Sequence, residues 1–350
     1  KHGYGFDDVF MAILVISMIS YISWRYVEIP FRSGVVFGVR SEKVIFIWWL
    51  VLLFLSLLMV KSSLAQHLWA DSFDAKTSFF YNKVIEFNKE KKEKFSNKVF
   101  IDKCKFNYRK IDQTFHTKVS NCFEQHGAGV MVIGDSHAVD LFHMMARNKE
   151  SRFIVGVTSP GCRPTSTMDN CEYETIYNFL LQNKDIFKSV VFEQAGFHLM
   201  KKSDLSVDGR SIFNSLETTE PVSKVKINSH ALKDTVDYLD KIGRNVAVKW
   251  FGPRIEPHFT LDTLVKSGCD HPPMLRPNTA AVYQNLENHI LNSLKETQSS
   301  IEFISQMEAM DMSFPEDLLN CSYIYWSDGD HYSNDGINRF SQRLPEELFN

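Results

Sequence analysis

Val130-Met131-Val132-Ile133-Gly134-Asp135-Ser136-His137 is the stretch that decides how this chain folds. The first four residues form a continuous apolar run, as expected of a strand covered on both faces. Glycine and small polar residues follow, where such a strand would turn into a helix. A serine at that turn has its own backbone N–H at the helix N-terminus, where partial positive charge favours an oxyanion.

A second string, far along the chain, repeats the arrangement. Tyr323-Ile324-Tyr325-Trp326 is followed one residue later by Asp328-Gly329-Asp330-His331. Together the two strings supply a serine, a histidine and an aspartate, the set that activates a hydroxyl nucleophile. The three-residue step from Asp328 to His331 suits a turn in which both side chains face one way.

The pair of strings resembles the SGNH (GDSL-like) hydrolase and acyltransferase family. That family has Gly-Asp-Ser at its first strand-to-helix turn and Asp-x-x-His near its C-terminus. The resemblance covers residues from about 126 to 350. It implies that Ser136 is the nucleophile, His331 the general base and Asp328 the residue that orients the base. Where the family usually has leucine after the serine, this chain has His137. The family's second oxyanion donor is a glycine after the second strand. In Thr158-Ser159-Pro160-Gly161-Cys162-Arg163-Pro164 that glycine is Gly161, with Gly156 as the alternative. The third donor is usually an asparagine, which this chain lacks. Phe192-Glu193-Gln194-Ala195-Gly196 stands in its place, so Gln194 is either an amide donor or a structural residue.

On either side of this stretch, apolar runs alternate with helical patterns. Strands are predicted at 130–133, 153–157, 190–193, 246–251, 301–304 and 323–326. Helices are predicted at 138–147, 173–183, 231–242, 279–294 and 335–348. This order predicts an α/β, three-layer, SGNH-hydrolase-like fold with a parallel sheet. Ligands in such folds bind at the carboxyl ends of strands, where Ser136, Gly161, Gln194, Arg254 and His331 would converge. Arg254 and His258 lie in the loop Gly252-Pro253-Arg254-Ile255-Glu256-Pro257-His258, where they either contact a glycan or an anionic sugar or belong to a loop held by its two prolines. Tyr332, beside His331, is the candidate for stacking on a sugar ring. Phe197, Trp250, Phe251, Tyr325 and Trp326 are expected in the core, and Asp135 is expected to cap the helix or bond the loop.

A chain of 350 residues suits two units, and a net charge of −3 gives no argument for a polyanionic partner such as nucleic acid. Residues 9–24 and 44–60 carry no charge, and each run approaches the length that spans a membrane. Buried core helices rarely lack charge on every face for so long. Arg25, Arg32, Arg40 and Lys43 lie between the runs and place that loop in the cytoplasm. Everything after Lys61 is then expected outside the cytoplasmic membrane. The runs and the start at Lys1 fit the C-terminal part of a longer protein better than a signal peptide.

The six cysteines, Cys104, Cys122, Cys162, Cys171, Cys269 and Cys321, all follow the second run. An even number on one side predicts disulfides in an oxidising compartment. The preferred pairs are Cys104–Cys122, Cys162–Cys171 and Cys269–Cys321. No Cys-x-x-Cys or His-x-x-x-His spacing supports a metal site, so none is expected. Residues 83–94 predict a surface helix with a solvated, charged end.

Tyr21-Ile22-Ser23-Trp24-Arg25-Tyr26-Val27-Glu28-Ile29-Pro30-Phe31-Arg32 resembles the end of the last core helix of the acyltransferase family 3 membrane domain. The order that follows matches the fusion of the two families in bacterial O-acyltransferases. The resemblance implies the end of that membrane domain at 1–38, with a transmembrane helix at about 9–26. It implies a further transmembrane helix at 43–61, a periplasmic linker or added subdomain at 62–125, and an SGNH catalytic domain at 126–350. It also implies an inner-membrane protein whose catalytic domain faces the periplasm. Acetyl-CoA would be the acyl donor, through earlier parts of the membrane domain. The acceptor would be a hydroxyl of O-antigen, peptidoglycan or exopolysaccharide, with no cofactor held by the SGNH domain itself. A glycan esterase and a membrane-tethered glycan-binding module are the two alternatives.

Overall fold

A computed structural model describes residues 75–149, 151–164, 171–202, 225–257, 274–320 and 322–350, with isolated positions before residue 75. The chain divides into two units, Lys1–Asp74 and Ala75–Asn350. The predicted membrane spans at 9–26 and 43–61 lie outside the described residues, apart from isolated helical positions such as Tyr21 and Leu50. Among the described residues no helix is long and apolar enough to cross a membrane. His258, Cys269 and Cys321 also lie outside the described residues, so the third predicted disulfide does too.

The second unit is built on a seven-stranded sheet of order β1-β2-β4-β3-β5-β8-β9. Its strands are β1 (Lys98–Asp102), β2 (Lys105–Tyr108), β3 (Gly129–Gly134), β4 (Ile154–Thr158), β5 (Phe187–Glu193), β8 (Ala247–Phe251) and β9 (Glu302–Ile304). All neighbours pair parallel except the edge hairpin β1–β2. The short strands β6 (Met200–Lys202) and β7 (Val225–Ile227) form a separate ribbon. Strand β3 sits between β4 and β5, so the chain winds to opposite sides of it. That is where open α/β sheets leave a ligand crevice.

Every residue of β3 is buried, and alternate side chains enter two different cores. Met131 and Ile133 join the core under α2 (Gln113–His126), α4 (Tyr173–Gln182), α5 (Ser229–Gly243) and α6 (Thr279–Glu296). Val130 and Val132 join the core that holds α1 (Ala75–Lys94), α3 (Ser136–Ala146) and α8 (Asn334–Ser341). One sheet with helices on both faces is the expected three-layer arrangement, and the apolar runs are continuous because neither face meets water. The remaining helix, α7 (Gln306–Ala309), is a single turn after β9.

Three predicted elements differ. Residues 323–326 do not join the sheet. They make only isolated bridges, Leu319–Ile324 and Trp326–Tyr332, because the segment folds back on its own neighbours. The helix predicted at 335–348 stops at Ser341, and Pro345 starts a separate turn over Glu346–Phe349. The charged end of residues 83–94 is solvated on one face only, with Lys89, Lys92 and Glu93 exposed and Lys94 buried. Phe80, Phe87 and Lys94 recur every seventh residue on one face of α1, and all three are buried.

Two predicted disulfides are present. Cys104–Cys122 ties the approach to β2 to α2, and Cys162–Cys171 closes the loop after β4.

Candidate active site

Strand β3 delivers Ser136 to the first residue of α3. Gly134 makes the turn with φ of 144°, and a Cβ there would lie 1.8 Å from the Glu193 carbonyl oxygen. Only glycine lets β3 and β5 approach so closely at this turn. Asp135 caps α3 by accepting the His137 N–H at 2.9 Å, and its other oxygen accepts the Ala195 N–H at 2.9 Å. It therefore both caps the helix and bonds the loop after β5. Burial pushes Asp135 up to about 6, against the two backbone donors that favour its anion. Ser136 is the one residue of α3 that is not buried.

His331 lies in a turn closed by the Trp326–Tyr332 bridge. Its Nδ1 is 3.0 Å from both oxygens of Asp328 and 3.1 Å from Asp330 Oδ1. Asp328 also accepts the backbone N–H groups of Asp330 and His331, at 3.0 and 2.7 Å, which shapes the turn itself. The other ring nitrogen, Nε2, is buried with no hydrogen-bond partner. Burial disfavours the imidazolium, but Asp330 and Asp328 outweigh it and push His331 up to about 9. Burial likewise opposes the Asp328 anion, and the His331 charge and hydrogen bond still hold Asp328 well below the usual carboxylate range.

The His331 turn is docked on the start of α3. The His137 and His331 rings meet edge to face with centroids 5.8 Å apart. One helical turn after Ser136, Asp140 Oδ2 accepts the Tyr332 N–H at 3.0 Å. Burial drives His137 well below its ordinary value, helped by the nearby cations Arg254 and His331, so its ring is neutral. His137, Asp330 and His331 offer donor atoms within 4.8 Å of one another. Sequence spacing had pointed to no metal-ligating set, because these residues meet only through folding.

The loop after β4 comes to the same end of the sheet, since the Ser159 N–H donates to the Gly134 carbonyl at 3.2 Å. Gly161 adopts φ of 76° in that loop, next to the disulfide at Cys162. Gly156, the alternative donor, lies within β4 and packs against Asn107.

Three predicted substrate contacts are buried instead. Gln194 is buried at the end of β5, and neither its amide oxygen nor its amide nitrogen has a hydrogen-bond partner. Arg254 is wholly buried and donates to Asp140 Oδ2 and to the Asp330 carbonyl, both at 2.7 Å. Tyr332 is also wholly buried, with its ring between Trp326 and Phe340 and 4.1 Å from the Arg254 guanidinium. Neither side chain is presented on the surface as the sequence reading expects of a glycan contact. Glu256 is buried too, and burial and Asp330 push it up to about 8.

The family described as "SGNH domain (fused to AT3 domains)" matches residues 103–346. The chain belongs to this SGNH family. No curated protein matches the chain. Solved structures similar to this SGNH chain include a G-D-S-L family lipolytic protein from Veillonella parvula DSM 2008. It is 11% identical with a TM-score of 0.35, covering 61% of this chain and 94% of that one. A carbohydrate acetylesterase from Sinorhizobium meliloti is 12% identical with a TM-score of 0.33, covering 61% of this chain and 94% of the other.

Proposed function

We propose that this SGNH chain transfers an acyl group, most simply acetyl, to a hydroxyl of a cell-surface or periplasmic glycan. The observation that carries the reading is the His331–Asp328 pair in a turn docked on the helix that begins at Ser136. His331 Nε2 takes the Ser136 proton as Oγ attacks the donor's carbonyl carbon. The tetrahedral intermediate collapses when the imidazolium returns that proton to the leaving group. Helix-start N–H groups and the loop at Gly161 stabilise the oxyanion. A sugar hydroxyl, deprotonated by the same histidine, then attacks the acyl-serine and frees the enzyme.

Transfer rather than hydrolysis is supported by the family's fusion to AT3 domains. The aromatic stretch ending Val27-Glu28-Ile29-Pro30-Phe31-Arg32, with its resemblance to such a domain, points the same way. On this reading the acyl group comes from acetyl-CoA through an inner-membrane acyltransferase domain, and the SGNH unit works in the periplasm. The acceptor is O-antigen, peptidoglycan or an exopolysaccharide.

The test incubates the full chain with p-nitrophenyl acetate and an oligosaccharide acceptor, for wild type and Ser136→Ala. Mass spectrometry then follows acetyl on Ser136 and on the sugar. Acetylated sugar that vanishes in Ser136→Ala is the expected result. Acetate release with no sugar acetylation would make the protein an esterase, and equal activity in both proteins would remove Ser136 from the chemistry.

A further inference from the structure

One face of the charged end of α1 packs against the His331 turn. Lys94 is only 6% exposed, with Nζ 2.6 Å from Asp140 Oδ1 and donating to the Tyr332 carbonyl at 2.7 Å. One turn earlier Lys91 pairs with Asp328. Phe95 sets its ring edge to face with His331, centroids 5.2 Å apart. Glu90 accepts the Asn334 N–H at 3.1 Å, and Lys83 donates to Asp335 at 3.3 Å. One face of this helix thus runs along the segment that carries the base.

The Tyr332 N–H goes to Asp140, the Tyr332 carbonyl to Lys94, and the Asp330 carbonyl to Arg254. The His331 N–H goes to Asp328, and its carbonyl accepts the Ser327 N–H at 2.8 Å. The peptides on both sides of His331 are therefore held. Two of the three outer clamps are Asp140, one turn from Ser136, and Lys94, which pairs with it. Burial opposes the Asp140 anion, yet Lys94 and Arg254 keep it ionised.

We propose that Lys94 is a positioning residue for the base: bound to Asp140 and to the Tyr332 carbonyl, it holds the His331 turn in register with the helix that starts at Ser136. This rests on the reading of Ser136 and His331 as nucleophile and base. Lys94 precedes residue 103, where the family match begins, so the SGNH domain borrows part of its active-site support from the preceding segment. A misplacement of about 1 Å in a catalytic group lowers rates by on the order of 100-fold. Loss of this clamp acts on the rate of the chemical step and leaves substrate binding alone.

The test uses the full chain with Lys94→Met, Lys94→Arg and Ser136→Ala. Steady-state hydrolysis of p-nitrophenyl acetate supplies kcat and KM, and inactivation by a fluorophosphonate reads the nucleophilicity of the serine directly. Lys94→Met is expected to lower kcat and the inactivation rate together, on the order of 10- to 100-fold. KM should stay within about twofold, and Lys94→Arg should recover part of the rate because a guanidinium still reaches Asp140. A folded Lys94→Met protein with wild-type kcat and inactivation rate would overturn the proposal, as would a change confined to KM. If Lys94→Met does not fold, Lys94→Gln, which keeps a donor for the Tyr332 carbonyl, is judged by the same criteria. Full activity in Ser136→Ala would sink the triad reading itself. An inactive Ser136→Ala beside a fully active Lys94→Met sinks only the role of Lys94.

Discussion

Asp330 Oδ1 stands 3.1 Å from His331 Nδ1, practically as close as the Asp328 carboxylate at 3.0 Å. The base thus has two carboxylates on one ring nitrogen. A serine protease that loses its single orienting carboxylate loses roughly 10⁴-fold in kcat. Asp328→Asn keeps the Oδ1 acceptor for the turn, and Asp330 still faces the ring. Its loss in kcat is expected at about 10- to 100-fold, with the larger drop appearing only in Asp328→Asn/Asp330→Asn. Steady-state rates for the two single variants and the double variant check this. A full 10⁴-fold loss in Asp328→Asn alone would show that Asp330 does not share the role.

The position of His331 near pH 9 sets the pH dependence. A general base must be neutral, so kcat/KM for p-nitrophenyl acetate should climb with pH and level off near 9. The stability effect has the opposite sign. A histidine raised above its unfolded value of about 6.5 stabilises the fold fully below that pH, and the contribution is lost as pH rises through about 9. Rate profiles and urea midpoints at pH 6 and pH 10 test both signs. A rate plateau already at pH 7 would contradict the geometry around Nδ1.

Gly134 tolerates no side chain. Its φ of 144° and the 1.8 Å gap to the Glu193 carbonyl oxygen put a Cβ into the backbone of the neighbouring strand. Gly134→Ala should destabilise by at least about 3 kcal/mol or abolish soluble expression, since strain at a special φ adds to a backbone clash. Chemical denaturation or expression yield reads the outcome, and a midpoint equal to wild type would refute the turn geometry.

The two disulfides close loops of 18 and 9 residues in sequence separation. Chain entropy alone assigns about 3.2 and 2.6 kcal/mol to them. Cys104→Ser/Cys122→Ser should therefore lose about that much stability with kcat little changed, because it lies at the sheet edge. Cys162→Ser/Cys171→Ser should lose activity as well, because its loop carries Gly161 beside the serine turn. Denaturation curves and kcat for the two paired variants separate the roles.

Much of this protein is decided by local pattern. Continuous apolar runs such as Val130–Ile133 mark strands covered on both faces, and five of the six predicted strands take their places in the parallel sheet. Gly134-Asp135-Ser136 and Asp328-x-x-His331 are visible because a turn and a cap need particular residues at adjacent positions. The two short disulfides follow from proximity along the chain. Tertiary structure decided the fate of the charged and aromatic residues around them. Arg254 and Tyr332 look like surface contacts in sequence, yet Arg254 is buried on Asp140 and Tyr332 among Trp326, Phe340 and Arg254, and Asp330 becomes a second partner of His331. Lys94 sits in a run of charges that would be solvated on an isolated helix. Only partners from α3 and from the His331 turn offset the cost of taking that charge out of water. Those partners are remote in sequence, so no periodicity or spacing could have named them.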